Sequence, residues 1–430
     1  MSATCPAVFI AAPASGQGKT TVSAAVARYH RDQGLDVRVF KMGPDFLDPM
    51  ILEQACGHPV DPLHLWMVGA DECRAMLHGA AEKADLILVE GSMGLFDGDP
   101  SGADLAERFG LPVLGLIDAS GMAQTFAAVA NGLASWRPGL PFAGVIANRV
   151  GSAGHGRMLG AALPEGIRYF GALPRNEAVG LPDRHLGLVQ AEEIDDLEQR
   201  LAAAAEAVGE AGVTGLPEPV AFDAGELPEP EKELAGVRVA IARDAAFAFL
   251  YPGNLRLLAA MGAEPVFFSP LAGDRLPEAE AVWLPGGYPE LHLDALAANE
   301  ALKADLAAHH DAGRPILAEC GGFLYLLEDL ADVAGHSASM AGLLPGRAQL
   351  AERVQGIGLQ AAPLPEGEIR GHTFHHSRAE VALEPIAHGI RARDRGSAAE
   401  AVYRRGRLTA TYLHAWFPSN PEAVAELFRP

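Results

Sequence analysis

One short stretch near the start constrains this chain most. Val8 to Ala12 is an apolar run that gives way to Pro13-Ala14-Ser15-Gly16-Gln17-Gly18-Lys19-Thr20, and Thr20 to Gln33 then has helical spacing. A buried strand that ends in a glycine-rich loop and restarts as a helix belongs to an open α/β sheet. The loop fits the phosphate-cradling template G-x-x-x-x-G-K-[ST] except at its first position, where Pro13 replaces glycine. Gly16 and Gly18 let backbone N–H groups approach phosphate oxygens, and the helix N-terminus turns its positive end toward them. Lys19 is expected on the β- and γ-phosphates, and Thr20 is expected to give its hydroxyl to Mg²⁺. The expected nucleotide contacts along the loop are Ser15, Gly16, Gln17, Gly18, Lys19, Thr20 and Thr21. A bare Gly-Lys-Thr also starts ordinary helices. The strand before it and the helix after it favour the nucleotide.

Strand–helix alternation continues beyond the loop. Val37 to Lys41, Leu86 to Glu90, Val113 to Asp118 and Phe142 to Ala147 read as buried parallel strands, with Met122 to Ser135 helical among them. Any one such run is also compatible with a buried helix piece, but the series implies an α/β sheet covered on both faces. Leu86-Ile87-Leu88-Val89 runs into Glu90, the leading ligand for a metal or a water. Asp97, in Met93-Gly94-Leu95-Phe96-Asp97-Gly98, either folds back to the site or closes a plain turn. Lys41 ends the second strand, so its amine points to the same edge as the phosphate loop. Asp45 and Asp48 follow in Gly43-Pro44-Asp45-Phe46-Leu47-Asp48-Pro49. Such acids hold a second Mg²⁺, place an acceptor substrate, or serve as turn aspartates beside prolines.

From about Ala211 to Ala235 the chain is rich in proline and acids with no apolar period, which reads as an extended, self-repelling linker. Val237 to Ala242, Pro265 to Phe268, Ala281 to Leu284 and Pro315 to Ala318 then form a second strand series, and β-like segments follow from about Gln349. In that half, Pro315-Ile316-Leu317-Ala318-Glu319 runs into Cys320-Gly321-Gly322 and an amphipathic segment. This is the nucleophile-elbow arrangement with sulfur in place of oxygen. The helix start is expected to lower the thiol pKa, although a lone cysteine is more often an inert buried residue. His414 ends a short apolar strand and is the candidate base. Gly287, in Leu284-Pro285-Gly286-Gly287-Tyr288-Pro289, and Gly321 are candidate oxyanion donors. His372, His375 and His376 cluster without an acid or cysteine at ligand spacing, which favours a substrate-binding or structural role over a metal site.

Composition narrows the partners. Asp plus Glu total 55 against 33 Lys plus Arg, a formal charge of -22, so sequence-independent nucleic-acid binding and anionic membranes are poor prospects. Four cysteines in 430 residues do not make a disulfide scaffold, no apolar run reaches membrane-span length, and no signal peptide is seen. The cytoplasm is the expected compartment.

These segments together resemble a known family over nearly the whole chain. The second half looks like a class I (triad-type) glutamine amidotransferase of the subgroup found on cobalamin-pathway amidases, through Leu284-Pro-Gly-Gly-Tyr-Pro-Glu-Leu-His292, Ala318-Glu-Cys-Gly-Gly322, Arg370-Gly-His-Thr-Phe-His375 and Tyr412-Leu-His414. The first half is similar to dethiobiotin synthetase and its ATP-binding relatives. With Lys41-Met-Gly-Pro-Asp-Phe-Leu-Asp-Pro49, Glu90-Gly-Ser-Met-Gly-Leu-Phe-Asp-Gly98 and Pro182-Asp-Arg-His-Leu-Gly-Leu188, the combination resembles the a,c-diamide synthases of cobyrinic or hydrogenobyrinic acid. The resemblance implies a doubly wound P-loop sheet over 1–210, a linker over 211–235 and a flavodoxin-like amidotransferase domain over 236–430.

It also implies the reaction. L-Glutamine is hydrolysed at Cys320 through a thioester, ATP phosphorylates a carboxylate of a corrinoid polycarboxylate, and ammonia converts the acyl phosphate to an amide, at one acetate and then another. Thr20, Asp45 and Glu90 would hold Mg²⁺. Asp45, Leu47, Asp48 and Asp97 would fall on the synthetase loops, with Leu47 at the substrate, and Asn148-Arg149 would lie where relatives read adenine. A homodimer is implied as well. Triad enzymes commonly carry Glu two residues after the histidine, and here Trp416 stands there, so either another group orients His414 or the couple works as a dyad. Another tetrapyrrole such as nickel-sirohydrochlorin, or a P-loop regulatory ATPase with a binding-only second domain, are the competing readings. Alanine- and glycine-rich composition suggests a GC-rich genome and tilts the ring toward the cobalt-free acid.

Overall fold

Short aliphatic runs alternating with helices build the first half of the chain into one sheet. Strands β1 (Ser2–Ala11), β2 (Val37–Met42), β3 (Asp61–Leu63), β4 (Leu86–Glu90), β5 (Val113–Asp118), β6 (Phe142–Val150) and β7 (Tyr169–Pro174) run parallel in the order β3-β2-β4-β1-β5-β6-β7. Helices α1 (Lys19–Asp32), α2 (Leu47–Cys56), α3 (Ala70–Ala81), α4 (Gly102–Phe109), α5 (Thr125–Ser135), α6 (Ala153–Ala162) and α7 (Leu197–Glu210) lie between and after them. The structure is a computed structural model and describes residues 2–176, 179–180, 190–225, 227–393 and 399–430. The motif Pro182 to Leu188 lies outside the described residues.

Side-chain alternation along β1 shows the two-sided burial. Val8 and Ile10 join Val22 and Val26 of α1 and Leu197 and Leu201 of α7 in one core. Phe9, between them and fully buried, meets Gly91 and Gly102, where an added Cβ would stand 3.0 and 3.1 Å from its ring. Each such buried side chain contributes roughly 1.5–3 kcal/mol. Because both faces are covered, the strands read as continuous apolar runs rather than alternating ones.

The stretch expected as linker departs from that reading. Pro219–Asp223 forms β8, which pairs antiparallel with Ser2 to Pro6 of β1. Val220 and Phe222 are buried there while Pro219, Ala221 and Asp223 face solvent. Two apolar residues at a spacing of two are enough for an edge strand, and the surrounding prolines and acids hide that signal. The chain divides into two compact units, Met1–Leu227 and Pro228–Pro430.

The second unit holds β9 (Arg238–Ala242), α8 (Pro252–Ala260), β10 (Glu264–Phe268), β11 (Ala281–Leu284), α9 (Leu293–Ala298), α10 (Glu300–Asp311), β12 (Ile316–Glu319) and α11 (Gly321–Tyr325). Its main sheet has the order β10-β9-β11-β12, followed by Leu408–Thr411, Ala401–Arg405 and Ala387–His388. The first five strands are parallel and the last two antiparallel. A smaller antiparallel sheet pairs Gly356–Leu364, Gly367–His375 and His414–Ala415. The α/β class and the two-domain organisation are therefore those expected.

Candidate active sites

The loop after β1 is shaped by its glycines. Gly16 and Gly18 have φ of 76° and 89°, in the left-handed region. Gly18 also has no room for a side chain, since a Cβ would stand 2.6 Å from Asn148 Nδ2. α1 begins directly after it, so the helix N-terminus faces the loop. Lys19 donates to Met93 O at 2.7 Å and Ala14 O at 3.3 Å. Its amine thus spans the loop, held by two carbonyls. Burial and the neighbouring Lys41 charge lower its pKa, a shift that an anionic ligand beside it would offset. Ser15 is exposed at the crest of the loop.

Beside the loop lies a compact charge cluster. Lys41 and Glu90 are register partners on β2 and β4, and their side chains meet at 2.7 Å. Glu90 is fully buried, and Thr20 Oγ1 donates to the same oxygen at 2.9 Å. Lys41 Nζ also reaches Asp48 Oδ2 at 2.5 Å and lies 3.9 Å from Asp45 Oδ2. Burial alone would lower the Lys41 pKa, but Glu90, Asp48 and Asp45 outweigh it and hold the amine charged. Burial raises Glu90 and Asp45, the latter helped by the Asp48 charge. Burial acts the same way on Asp48, yet Lys41 keeps it ionised. Removing one partner of a buried pair of this kind costs about 3–5 kcal/mol.

A cation fits here. Glu90 Oε2 is buried with no hydrogen-bond partner, next to the Thr20 hydroxyl. One or two oxygen donors beside a phosphate site is the arrangement Mg²⁺ takes with nucleotides. Asp45 also braces its own loop. Its Oδ1 accepts from the backbone N–H of Leu47 and Asp48 at 2.9 and 3.2 Å, holding the start of α2 and with it Leu47. Asp97 combines both sequence readings. It accepts from Gly94 N at 2.9 Å and so closes its own turn. That turn is pinned to the phosphate loop by Leu95 N donating to Ala12 O at 2.8 Å, and the Asp97 charge acts on Lys19.

Asn148 and Arg149 come back to the loop from β6. Asn148 Nδ2 donates to Gln17 O at 2.8 Å, and Arg149 Nη1 donates to Gly16 O at 3.0 Å and pairs with Asp118 at 2.7 Å. They border a cavity of about 410 Å³, within the range of roughly 300–1,000 Å³ typical of small-molecule sites. Gly18, Thr21, Asp118, Leu173, Ala204 and Val208 also line it. Asp118 and the apolar wall from β7 and α7 were not foreseen, although Asp118 does end an apolar run as Glu90 does.

In the second unit Cys320 sits at a strained corner. It has φ 44° and ψ −104° between β12 and α11, a conformation costing a non-glycine residue about 1–3 kcal/mol. Its N–H donates to Thr411 O at 2.8 Å, so Cys320 and the Tyr412-Leu413-His414 segment leave neighbouring parallel strands at one sheet edge. Gly322 N donates to Pro285 O at 3.0 Å, and a Cβ on Gly321 would stand 2.8 Å from Gly287 N. The two candidate oxyanion glycines therefore touch. A methyl on Gly286 would land on the His414 ring, so backbone forms one wall of the imidazole. Glu319 ties the corner together: it accepts from Ala415 N at 2.9 Å and from Trp283 Nε1 at 3.0 Å. Burial pushes its carboxyl up to about 8.

The expected lowering of the thiol pKa is not met. Burial and the Glu290 charge push Cys320 above its ordinary value, and the Gly321 N–H opposes them only in part. α11 has five residues, too short for a strong dipole. Burial, with His372 and His375 nearby, lowers His414 well below the usual imidazole range, so it is neutral and able to accept a proton. A raised thiol is protonated at neutral pH and ionises only as pH climbs. Iodoacetamide labelling of Cys320 in the free protein, followed by peptide mapping, should therefore be slower at pH 7 than for a free cysteine and still rising at pH 10. A plateau below pH 8 would contradict this environment.

Comparison with known proteins follows the same division. Residues 8–189 match a family model described as the CobQ/CobB/MinD/ParA nucleotide binding domain, and residues 238–422 match the CobB/CobQ-like glutamine amidotransferase domain. The chain is 60% identical over 429 residues to a hydrogenobyrinate a,c-diamide synthase of Stutzerimonas stutzeri, covering 100% of both chains. It is 58% identical to the protein of that name from Pseudomonas aeruginosa, covering 100% of this chain and 98% of the other. A cobyrinate a,c-diamide synthase of Herminiimonas arsenicoxydans is 47% identical, over 98% and 96% of the two chains.

Proposed function

The chain belongs to the a,c-diamide synthase family, and from that premise we propose that it amidates the a and c acetates of hydrogenobyrinic acid with ATP and glutamine, in cobalamin biosynthesis. The full-length identity of 60% to a hydrogenobyrinate enzyme carries the reading. Relatives named for the cobalt-free acid stand at 60% and 58%, against 47% for one named for cobyrinate. The cytoplasm is the proposed location and a homodimer the proposed assembly. Among the described residues no helix is long and apolar enough to cross a membrane.

The glutaminase half-reaction needs a thiolate, a proton shuttle and a place for the oxyanion. Glutamine binding brings the amide carbon to Cys320 Sγ. His414 takes the thiol proton as sulfur attacks, and Gly287 and Gly321 offer their N–H groups to the developing oxyanion. The C–N bond then breaks, and the proton passes from His414 to the leaving nitrogen, giving NH₃ and a thioester. Water hydrolyses the thioester to glutamate and restores the thiol.

The synthetase half-reaction converts a poor acyl donor into a good one. Lys19 and the loop N–H groups hold the nucleotide phosphates, while Asn148 and Arg149 border the cavity for its base. Thr20 and Glu90, with Asp45 nearby, are the residues that would hold Mg²⁺, which supplies charge neutralisation at the phosphates. A ring carboxylate oxygen attacks the γ-phosphorus and ADP leaves. Ammonia then attacks the acyl phosphate carbon, and phosphate departs as the amide forms. Leu47 and Asp48, at the start of α2, and Asp97, on the loop after β4, are the proposed residues lining the ring-substrate site.

Incubation with each purified ring, ATP, Mg²⁺ and glutamine tests the proposal. The expected result is a diamide from hydrogenobyrinic acid, with kcat/KM at least about tenfold above cobyrinic acid, the roughly 1.4 kcal/mol a single good contact supplies. No amide on either ring would sink the reading.

A further inference from the structure

No acid stands two residues after His414. Trp416 fills that position, with its ring edge-on to Tyr251 at 5.4 Å and against Gly253 of α8. The His414 ring is held by other means. His372 is its direct partner across the antiparallel pairing of Gly367–His375 with His414–Ala415. Directly opposed residues present their side chains on one face at close range. Accordingly the two imidazoles stack at 5.0 Å with 22° between their planes. Both are buried, at 5% and 2% exposure. His372 Nδ1 is in turn 3.1 Å from the Tyr251 hydroxyl, and Tyr251 is itself buried at the N-terminus of α8.

We propose that His372, fixed by Tyr251, is the positioning residue that holds the His414 imidazole for proton transfer with Cys320. This rests on the glutaminase reading above. A stacked ring restricts rotation about the Cβ–Cγ bond, which is the freedom a hydrogen-bonded acid would otherwise remove. Phe249, with its ring 5.9 Å from that of His414, and the Gly286 backbone close the remaining sides. The charges of His372 and His375 also act on the imidazole and lower its pKa. The acids Glu290, Glu319 and Glu400 near this corner act on Cys320.

The test is steady-state glutamate release by the full-length variants His372→Ala, His372→Phe and Tyr251→Phe, with ammonia-driven amidation as the folding control. His372→Ala should lower kcat for glutamine by about 10- to 100-fold, the scale of a misplaced catalytic group, with KM nearly unchanged. The acidic limb of its kcat–pH profile should move to higher pH, because one influence lowering the His414 pKa is gone. His372→Phe keeps a flat ring and should recover part of kcat, and Tyr251→Phe should cost only a few-fold. Unchanged kcat and pH profile in His372→Ala would overturn the proposal, as would a change in KM alone, which would mark a substrate contact. Should His372→Ala also lose ammonia-driven amidation, Tyr251→Phe decides: wild-type kcat and pH profile there overturn the proposal. Cys320→Ser separates this outcome from failure of the glutaminase reading, since only the latter leaves glutamate release intact in that variant.

Discussion

Cys320→Ser will stop glutamine from supporting amidation while leaving ammonium salts able to do so. Serine keeps the size of the side chain and the backbone of the corner, so the fold at φ 44° persists. It replaces the thiol with a hydroxyl that is far harder to ionise, at a site where burial already disfavours the anion. His414 is neutral and able to accept a proton, but the group offered to it is now too weak an acid. Glutamate release should fall by at least about 10³-fold, in line with loss of a nucleophile from a working catalytic unit. Amidation driven by excess ammonia should stay close to wild type, because it needs only the acyl phosphate. Glutaminase at wild-type rate in this variant would refute the assigned nucleophile and with it the coupling of the two chemistries.

Lys19→Ala gives the complementary result. Lys19 is the cation of the phosphate loop, held between Met93 O and Ala14 O, and no other residue of that loop carries positive charge. Lys41 cannot take over, since Glu90 and Asp48 engage it. Both glutamine- and ammonia-driven amidation should drop by roughly 100- to 1,000-fold, the loss of about 2.7–4 kcal/mol seen when one preorganised donor to developing charge is removed. Basal glutamate release should persist. Loss confined to the glutamine-driven reaction would show that Lys19 does not serve the phosphates.

Much of the site was readable from the residues. Glu90 closes an apolar run, and Lys41 closes the run that becomes its neighbour, so their meeting at one sheet edge follows from strand periodicity. Cys320 between a strand and two glycines is a local signal of the same kind. Other features left no such trace. β8 depends on Val220 and Phe222 finding the first residues of β1, more than 200 positions away, and a composition window over that segment sees mainly prolines and acids. The wall of the cavity beside the phosphate loop comes from β7 and α7, whose Leu173, Ala204 and Val208 carry no chemical signature.

The thiol shows why local reasoning stops where it does. A cysteine at a helix start reads as acidified, but ionisation answers to everything within several ångströms, and here burial and Glu290 outweigh a helix of five residues. Linear order determined which chemistries this protein carries, because strand ends, glycines and reactive side chains are adjacent along the backbone. Folding alone decided how each group is charged and held, as with His372 against His414, because dielectric surroundings and ring contacts are built from segments the chain keeps far apart.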